Sequence, residues 1–71
     1  MVSVNKLKGK VMERGLTLES LAEKTGIEKS RLYRRLKEPG QFTVAEVDSI
    51  VSVLCLSIEE AIDIFFAREV A

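Results

Sequence analysis

The sequence predicts an all-α fold, a compact five-helix domain that occupies residues 1–71. Apolar residues recur three and four positions apart along most of the chain, which is the spacing of one helix face. Glycines and a Pro-Gly pair divide this pattern into segments of about 8 to 12 residues, and no segment alternates as a strand would. Helices this short are marginal alone, so they must pack on one another. The 46% of apolar residues is ample for one core.

The first two helices are bounded by a cap and by glycines. The first is predicted from about Val4 to Arg14 and ends at Gly15, since glycine tolerates positive φ. The second begins at Thr17, a good N-cap residue, and ends before Gly26. The residues expected to face the core from these helices are Val4, Leu7, Val11, Met12, Leu18, Leu21 and Ala22.

The third helix is predicted over about 28–37. Leu32 and Leu36 form an apolar pair one turn apart, and Pro39-Gly40 ends the helix because the residue before proline avoids helical geometry. The helix also carries five cations in nine residues, from Lys29 to Lys37, in a chain with a formal net charge of zero.

Two capping boxes open the last two helices. Thr43 with Glu46 marks the start of the fourth, and Ser57 with Glu60 marks the start of the fifth. The expected core-facing residues are Val44, Val47, Ile50, Val51 and Leu54 in the fourth helix, and Ile58, Ala61, Ile62 and Phe65 in the fifth. Between helices, Phe42 is expected to plug the core and Cys55 to be buried as a small hydrophobe.

The charge is distributed unevenly, and this favours some functions over others. Residues 1–37 have a balance of +6 and residues 38–71 a balance of −6, which indicates a polyanion-binding face. Two oppositely charged solvated faces are the alternative. There is no histidine, no glycine-rich phosphate loop and only one cysteine. We therefore expect no enzyme activity, no metal, no cofactor and no small-molecule substrate.

No membrane association is predicted. No apolar run approaches the roughly 20 residues that cross a bilayer. The opening "MVSVNKLKGK" does not predict a signal peptide, and a single cysteine cannot form an internal disulfide. The expected location is the cytoplasm.

The segment "LTLESLAEKTGIEKSRLYRRL" has the layout of a helix-turn-helix. Two short helices flank Gly26, which suits the tight turn, and Ala22 is small enough to stand where the helices cross. Over almost its whole length, the sequence resembles the lambda-repressor-like and Cro-like regulators. The stretches "GQFTVAEVDSIVSVLCLSIEEA" and "IFFAREV" resemble small phage-encoded repressors of Gram-positive hosts. This resemblance implies a sequence-specific regulator of phage or prophage origin that binds double-stranded DNA through a recognition helix at about 28–37.

The chain departs from this family pattern at three positions. Leu18 stands where the family usually has Gln, Glu28 where it favours Ser or Thr, and Arg35 where it has an apolar residue. Leu36 is expected to take over that packing role. "SRLYRRLK" also resembles the Fis-type helix-turn-helix, which leaves the tilt of the third helix open. An alternative function is a protein-interaction module that binds an acidic partner.

A helical wheel separates the third helix into an inner and an outer side. Leu32 and Leu36 define the inner side, and Ser30 and Arg34 point nearly opposite. The expected contacts to base edges are Ser30 and Arg34, on this outer side, and Lys29, which lies in the first turn of the helix. The expected contacts to the DNA backbone are Thr17, Arg31, Tyr33, Arg35, Lys37, Gln41 and Thr43.

The fifth helix has more apolar residues than one inner face can bury. Ile64, Phe66 and Val70 are left over, and they predict a homodimer interface. The alternative is that Phe66 and Val70 fold back over the first helix and complete the monomer core.

Overall fold

The computed structural model describes residues 1–67. It contains five α-helices: α1 Val4–Glu13, α2 Leu18–Thr25, α3 Lys29–Lys37, α4 Val44–Leu54 and α5 Ile58–Phe65. A 3₁₀ turn, Pro39–Gln41, links α3 to α4, and no strand occurs among the described residues. The predicted all-α fold is confirmed. None of these helices is long and apolar enough to cross a membrane.

Local capping explains where most of the helices begin. Both predicted capping boxes are present, at Thr43 with Glu46 and at Ser57 with Glu60. A third capping box, Thr17 with Ser20, opens α2. It was not predicted from the sequence, because the residue at the third helical position is Ser20 rather than Glu or Gln. In contrast, α3 follows Glu28 without any side-chain cap.

The core is formed by side chains from all five helices. Its fully buried members are Leu7, Val11, Leu21, Leu32, Ile50, Leu54 and Ile64. The α2 helix packs against both α3 and α4, and α1 packs against α2 and α5. Phe42 is half-buried beside this core, with its ring edge-to-face to Phe65 at 6.0 Å between centroids. Its predicted role as a plug is confirmed.

Four residues expected in the core are exposed instead: Met12 (77%), Val44 (87%), Ile58 (80%) and Ile62 (52%). Conversely, Ile64 is only 2% exposed and belongs to the core. The prediction of Ile64 at a dimer interface is therefore wrong, because its side chain is used inside the monomer.

Cys55 is also exposed, contrary to expectation. It follows the last residue of α4 and has a left-handed backbone with φ of +52°. Its Sγ lies 3.7 Å from the carbonyl oxygen of Ser52.

Ion pairs join α1 to α5. Lys6 Nζ lies 2.6 Å from Asp63 Oδ1, and Lys10 Nζ lies 2.5 Å from Glu60 Oε2. Arg14 Nε donates to the carbonyl of Leu54 at 2.8 Å. Part of the charge asymmetry between the two halves of the chain is therefore compensated within the fold.

The ion pair between Lys10 and Glu60 is sensitive to acid. Hydrogen bonds from Lys10 and from the Ser57 N–H lower the pKa of Glu60 from 4.5 to about 2. A carboxyl with a depressed pKa stabilises the fold above its unfolded pKa, and this stabilisation is lost as the pH falls through the folded value. We expect Glu60→Gln to be less stable than the wild type at pH 7, and the difference to shrink between pH 4.5 and about 2. Urea unfolding across this range measures it, with Glu59→Gln as the control on the same helix. A difference that stays constant with pH would contradict the prediction.

Gly9 is an internal residue of α1 that no contact requires. Apart from its chain neighbours and the backbone of α1, a Cβ added there would have no heavy atom within 4 Å. We expect Gly9→Ala to stabilise the domain by about 1 kcal/mol, because alanine restricts the unfolded chain and favours helix. In thermal denaturation this corresponds to a rise of about 4–8 °C in Tm. An unchanged or lower Tm would show that Gly9 has a role that the fold does not reveal.

Candidate nucleic-acid interface

The turn between α2 and α3 is compact and closed by backbone geometry. Gly26 has φ of +76° and donates its N–H to the carbonyl of Ala22 at 3.0 Å. Ala22 is 5% exposed, and Ile27, which follows the turn, is 8% exposed. The small residue and the left-handed glycine thus allow the two helices to meet without a longer loop.

The α3 helix has distinct inner and outer sides. Leu32 is fully buried and Leu36 is half-buried, which confirms the packing role expected for Leu36. The other side is open to solvent. Its exposed side chains are Ser30, Arg31, Tyr33, Arg34 and Lys37.

Two of the three predicted base contacts have a carboxylate partner within the fold. Lys29 Nζ lies 2.8 Å from Glu19 Oε1, and this hydrogen bond raises the pKa of Lys29 and lowers that of Glu19. The hydroxyl of Ser30 donates to Glu28. Both groups remain at the surface, where solvent screens such contacts and their net contribution is small. DNA can therefore compete for them at small cost.

Arg35 is oriented differently from the other cations of α3. Its Nε donates to Glu46 Oε1 at 2.9 Å, and Glu46 is buried at the start of α4. Burial opposes ionisation of Glu46, but the bonds from Arg35 and from the Thr43 N–H together lower the pKa of its carboxyl. Arg35 was predicted to contact the DNA backbone, yet its charge is already compensated by an internal partner.

Three cations of α3 remain without an acidic partner within residues 1–67: Arg31, Arg34 and Lys37. They are three residues apart, so they form a continuous strip along the outer side of the helix. We call this strip the basic strip.

The other predicted backbone contacts border α3 on two sides. Thr17 is exposed at the start of α2, and Thr43 is exposed at the start of α4. Gln41 is exposed in the 3₁₀ turn that follows α3. Phe66 is 67% exposed, and Val70 lies outside the described residues.

A comparison with protein-family models gives one result that decides the family. The model of the Cro/C1-type HTH DNA-binding domain matches residues 6–66. The chain belongs to this Cro/C1-type family. Comparisons with curated proteins and with solved structures give no match.

The Cro/C1-type assignment agrees with the geometry of the site. The match spans all of α2 and α3, so the predicted helix-turn-helix is confirmed. Domains of this family are DNA-binding regulatory domains and not enzymes, as predicted.

The structure gives physical reasons for two of the three departures from the Cro-like pattern. Leu18 packs partly against the core, so its position contributes to stability. Arg35 is tolerated at a normally apolar position because Glu46 neutralises it. Nothing in the structure explains Glu28 in place of a capping Ser or Thr.

Sequence reasoning missed the carboxylates that surround α3. Glu19 is ten residues from Lys29, and Glu46 is eleven residues from Arg35. No helical period links such distant positions, so only the packing of α2 and α4 beside α3 shows these pairs.

Proposed function

We propose that the protein is a sequence-specific regulator of transcription that places α3 in the major groove of double-stranded DNA. The observation that carries this proposal is the basic strip, Arg31, Arg34 and Lys37, on the exposed side of the second helix of a helix-turn-helix. Cations on such a helix neutralise phosphates and donate to base edges.

Within the strip, we assign Arg34 to base recognition, because it lies opposite the buried Leu32 and the half-buried Leu36. Its guanidinium can donate two hydrogen bonds to guanine O6 and N7. Lys29 and Ser30, at the start of α3, can also reach base edges once they leave Glu19 and Glu28.

The remaining contacts in this proposal are made with the DNA backbone. Arg31, Tyr33 and Lys37 flank the base-reading side of α3. Thr17 lies at the start of α2, and Gln41 and Thr43 precede α4. Their polar groups, with the free N–H groups at the helix starts, are suited to phosphate oxygens.

We also propose that the protein acts as a homodimer. Ile58, Ile62 and Phe66 are exposed and four residues apart, so they form an unpartnered apolar stripe along α5 and its C-cap residue, Phe66. Phe66 also lines a groove of about 390 Å³ together with Met1, Val2, Phe42, Val44 and Phe65. An apolar surface of this kind is suited to a second copy of the chain.

The groove lies close to the end of α3, the proposed recognition helix. Pro39 and Gly40, which follow α3 after Glu38, also line it. In our proposal, two copies joined there by a two-fold axis that runs between the α3 helices present both helices to the same DNA. A two-fold dimer of this kind matches half-sites about 34–36 Å apart.

We further propose a Cro-like repressor of phage or prophage origin that acts in the cytoplasm by occupying its operator. The resemblance of residues 40–61 and 64–70 to phage-encoded repressors supports this origin. The alternative function is an interaction module for an acidic protein, which Leu18 in place of the usual Gln favours.

The test is selection of bound duplexes from a random pool, followed by gel shifts of the selected and of a scrambled duplex at low salt. We expect a shift with both duplexes and a clear preference for the selected one. Failure to shift any duplex would overturn the proposal and favour the interaction module. Equal affinity for both duplexes would contradict sequence-specific recognition.

A further inference from the structure

The carboxylate of Glu46 joins two parts of the proposed DNA-binding surface. Its Oε1 accepts the N–H of Thr43 at 2.9 Å and Nε of Arg35, also at 2.9 Å. In return, Thr43 Oγ1 accepts the N–H of Glu46 at 3.1 Å. One oxygen thus connects the recognition helix α3 with the exposed start of α4.

Glu46 is also the one buried charged residue among residues 1–67, at 8% exposure. No buried side-chain oxygen or nitrogen in this range lacks a hydrogen-bond partner. A buried ion pair is expensive to assemble and is weak evidence for net stability, and in some proteins its role is to select one arrangement of the elements it joins. The arrangement therefore suits a positioning role better than a stabilising one.

We infer that Glu46 is a positioning residue for DNA recognition. This role rests on the function proposed above. Glu46 sets the distance between the base-reading Arg34 and the phosphate-facing pair Gln41 and Thr43. It also retains Arg35 as an internal partner, which prevents that cation from adding a contact to any phosphate within reach.

The chain contains a matched control for this residue. Glu60 has the same place in the capping box of α5, accepts the N–H of Ser57 at 2.9 Å and pairs with Lys10. It is more exposed than Glu46, and it lies away from the proposed interface, because α1 and α5 carry none of the proposed DNA contacts. Glutamine at either position can keep the cap while removing the charge.

The experiment measures affinity for a selected duplex and for a scrambled duplex, at several salt concentrations, with folding checked by circular dichroism. For Glu46→Gln we expect the ratio of the two affinities to fall about tenfold, the scale of one lost base contact. Release of Arg35 should also make the slope of log K against log salt concentration steeper by about 0.9 for the scrambled duplex. Glu60→Gln should keep the wild-type ratio and slope.

A second variant, Arg35→Gln, keeps Glu46 and its cap but has no charge to release. It should lower the affinity ratio without changing the salt slope. A salt slope about one unit shallower would instead show that Arg35 contacts a phosphate in the wild type, and would overturn the inference.

The remaining outcomes are also decisive. If Glu46→Gln lowers both affinities equally, or neither, or if Glu60→Gln has the same effect on the ratio, Glu46 has no positioning role. A wild type that does not distinguish the duplexes overturns the proposed function and this inference with it. A wild type that distinguishes them, with an unchanged ratio in Glu46→Gln, overturns the inference alone.

Discussion

Substitution of Arg34 by alanine is expected to weaken binding to the selected duplex by about 1–3 kcal/mol and to relax base preference at one position of each half-site. Arg34 is exposed, has no acidic partner within residues 1–67 and lies opposite the buried Leu32. Its removal should therefore leave the fold intact and remove one contact to a base edge. Repeating the selection from a random pool with the variant measures the relaxed preference directly.

Lys37→Ala is the comparison that separates base recognition from charge. Lys37 is at the last turn of the same helix, where we expect it to contact a phosphate. Its loss should weaken all duplexes about equally and reduce the salt slope by about one unit. Lys8→Ala, an exposed lysine of α1, controls for net charge. If Lys37→Ala alters base preference while Arg34→Ala does not, the two roles are assigned the wrong way round.

The parts of the fold that the sequence predicted are those that depend on near neighbours. Thr43 with Glu46 and Ser57 with Glu60 act across three residues, and Gly26 determines its turn through its own backbone. Likewise, the inner side of α3 follows from Leu32 and Leu36 alone. Such signals are visible in the chain because the interacting groups are a turn apart.

The α5 helix shows why the rest could not be predicted. Ile58 with Ile62, and Ala61 with Ile64 or Phe65, are three or four residues apart, so both sets fit the spacing of a buried helix face. The structure buries Ile64 and Phe65 and leaves Ile58 and Ile62 exposed, and α1 lies against α5 with Lys6 and Lys10 beside the acidic residues of that helix. Which face of α5 is buried depends on α1, about fifty residues away in sequence, so the apolar periodicity of α5 alone cannot predict it.

The same limit applies to the charges of α3. By sequence, all five cations from Lys29 to Lys37 could face DNA. Packing gives Lys29 the partner Glu19 and gives Arg35 the buried partner Glu46. Within residues 1–67, the α3 cations without an acidic partner are therefore the three of the basic strip. Their three-residue spacing could be predicted from the sequence, whereas their lack of an acidic partner could not.

Phe66→Ala is expected to weaken the proposed homodimer strongly. Phe66 is 67% exposed and belongs both to the apolar stripe of α5 and to the groove beside Phe42 and Val44. Large aromatic residues at the centre of an interface often contribute 2 kcal/mol or more, so we expect a rise of about 30-fold or more in the dimer dissociation constant. Sedimentation across a concentration series measures it.

A matched control and a second position make this test specific to the stripe. Met12→Ala removes an equally exposed apolar side chain, but from α1, and should leave the dimer unchanged. Ile62→Ala, one turn before Phe66, should weaken it in the same direction. Because each monomer then binds its half-site without its partner, affinity for a two-half-site duplex should fall more steeply than affinity for a single half-site. A wild type that remains monomeric at high micromolar concentration would refute the dimer, and a dimer that survives both substitutions would place its interface on another surface.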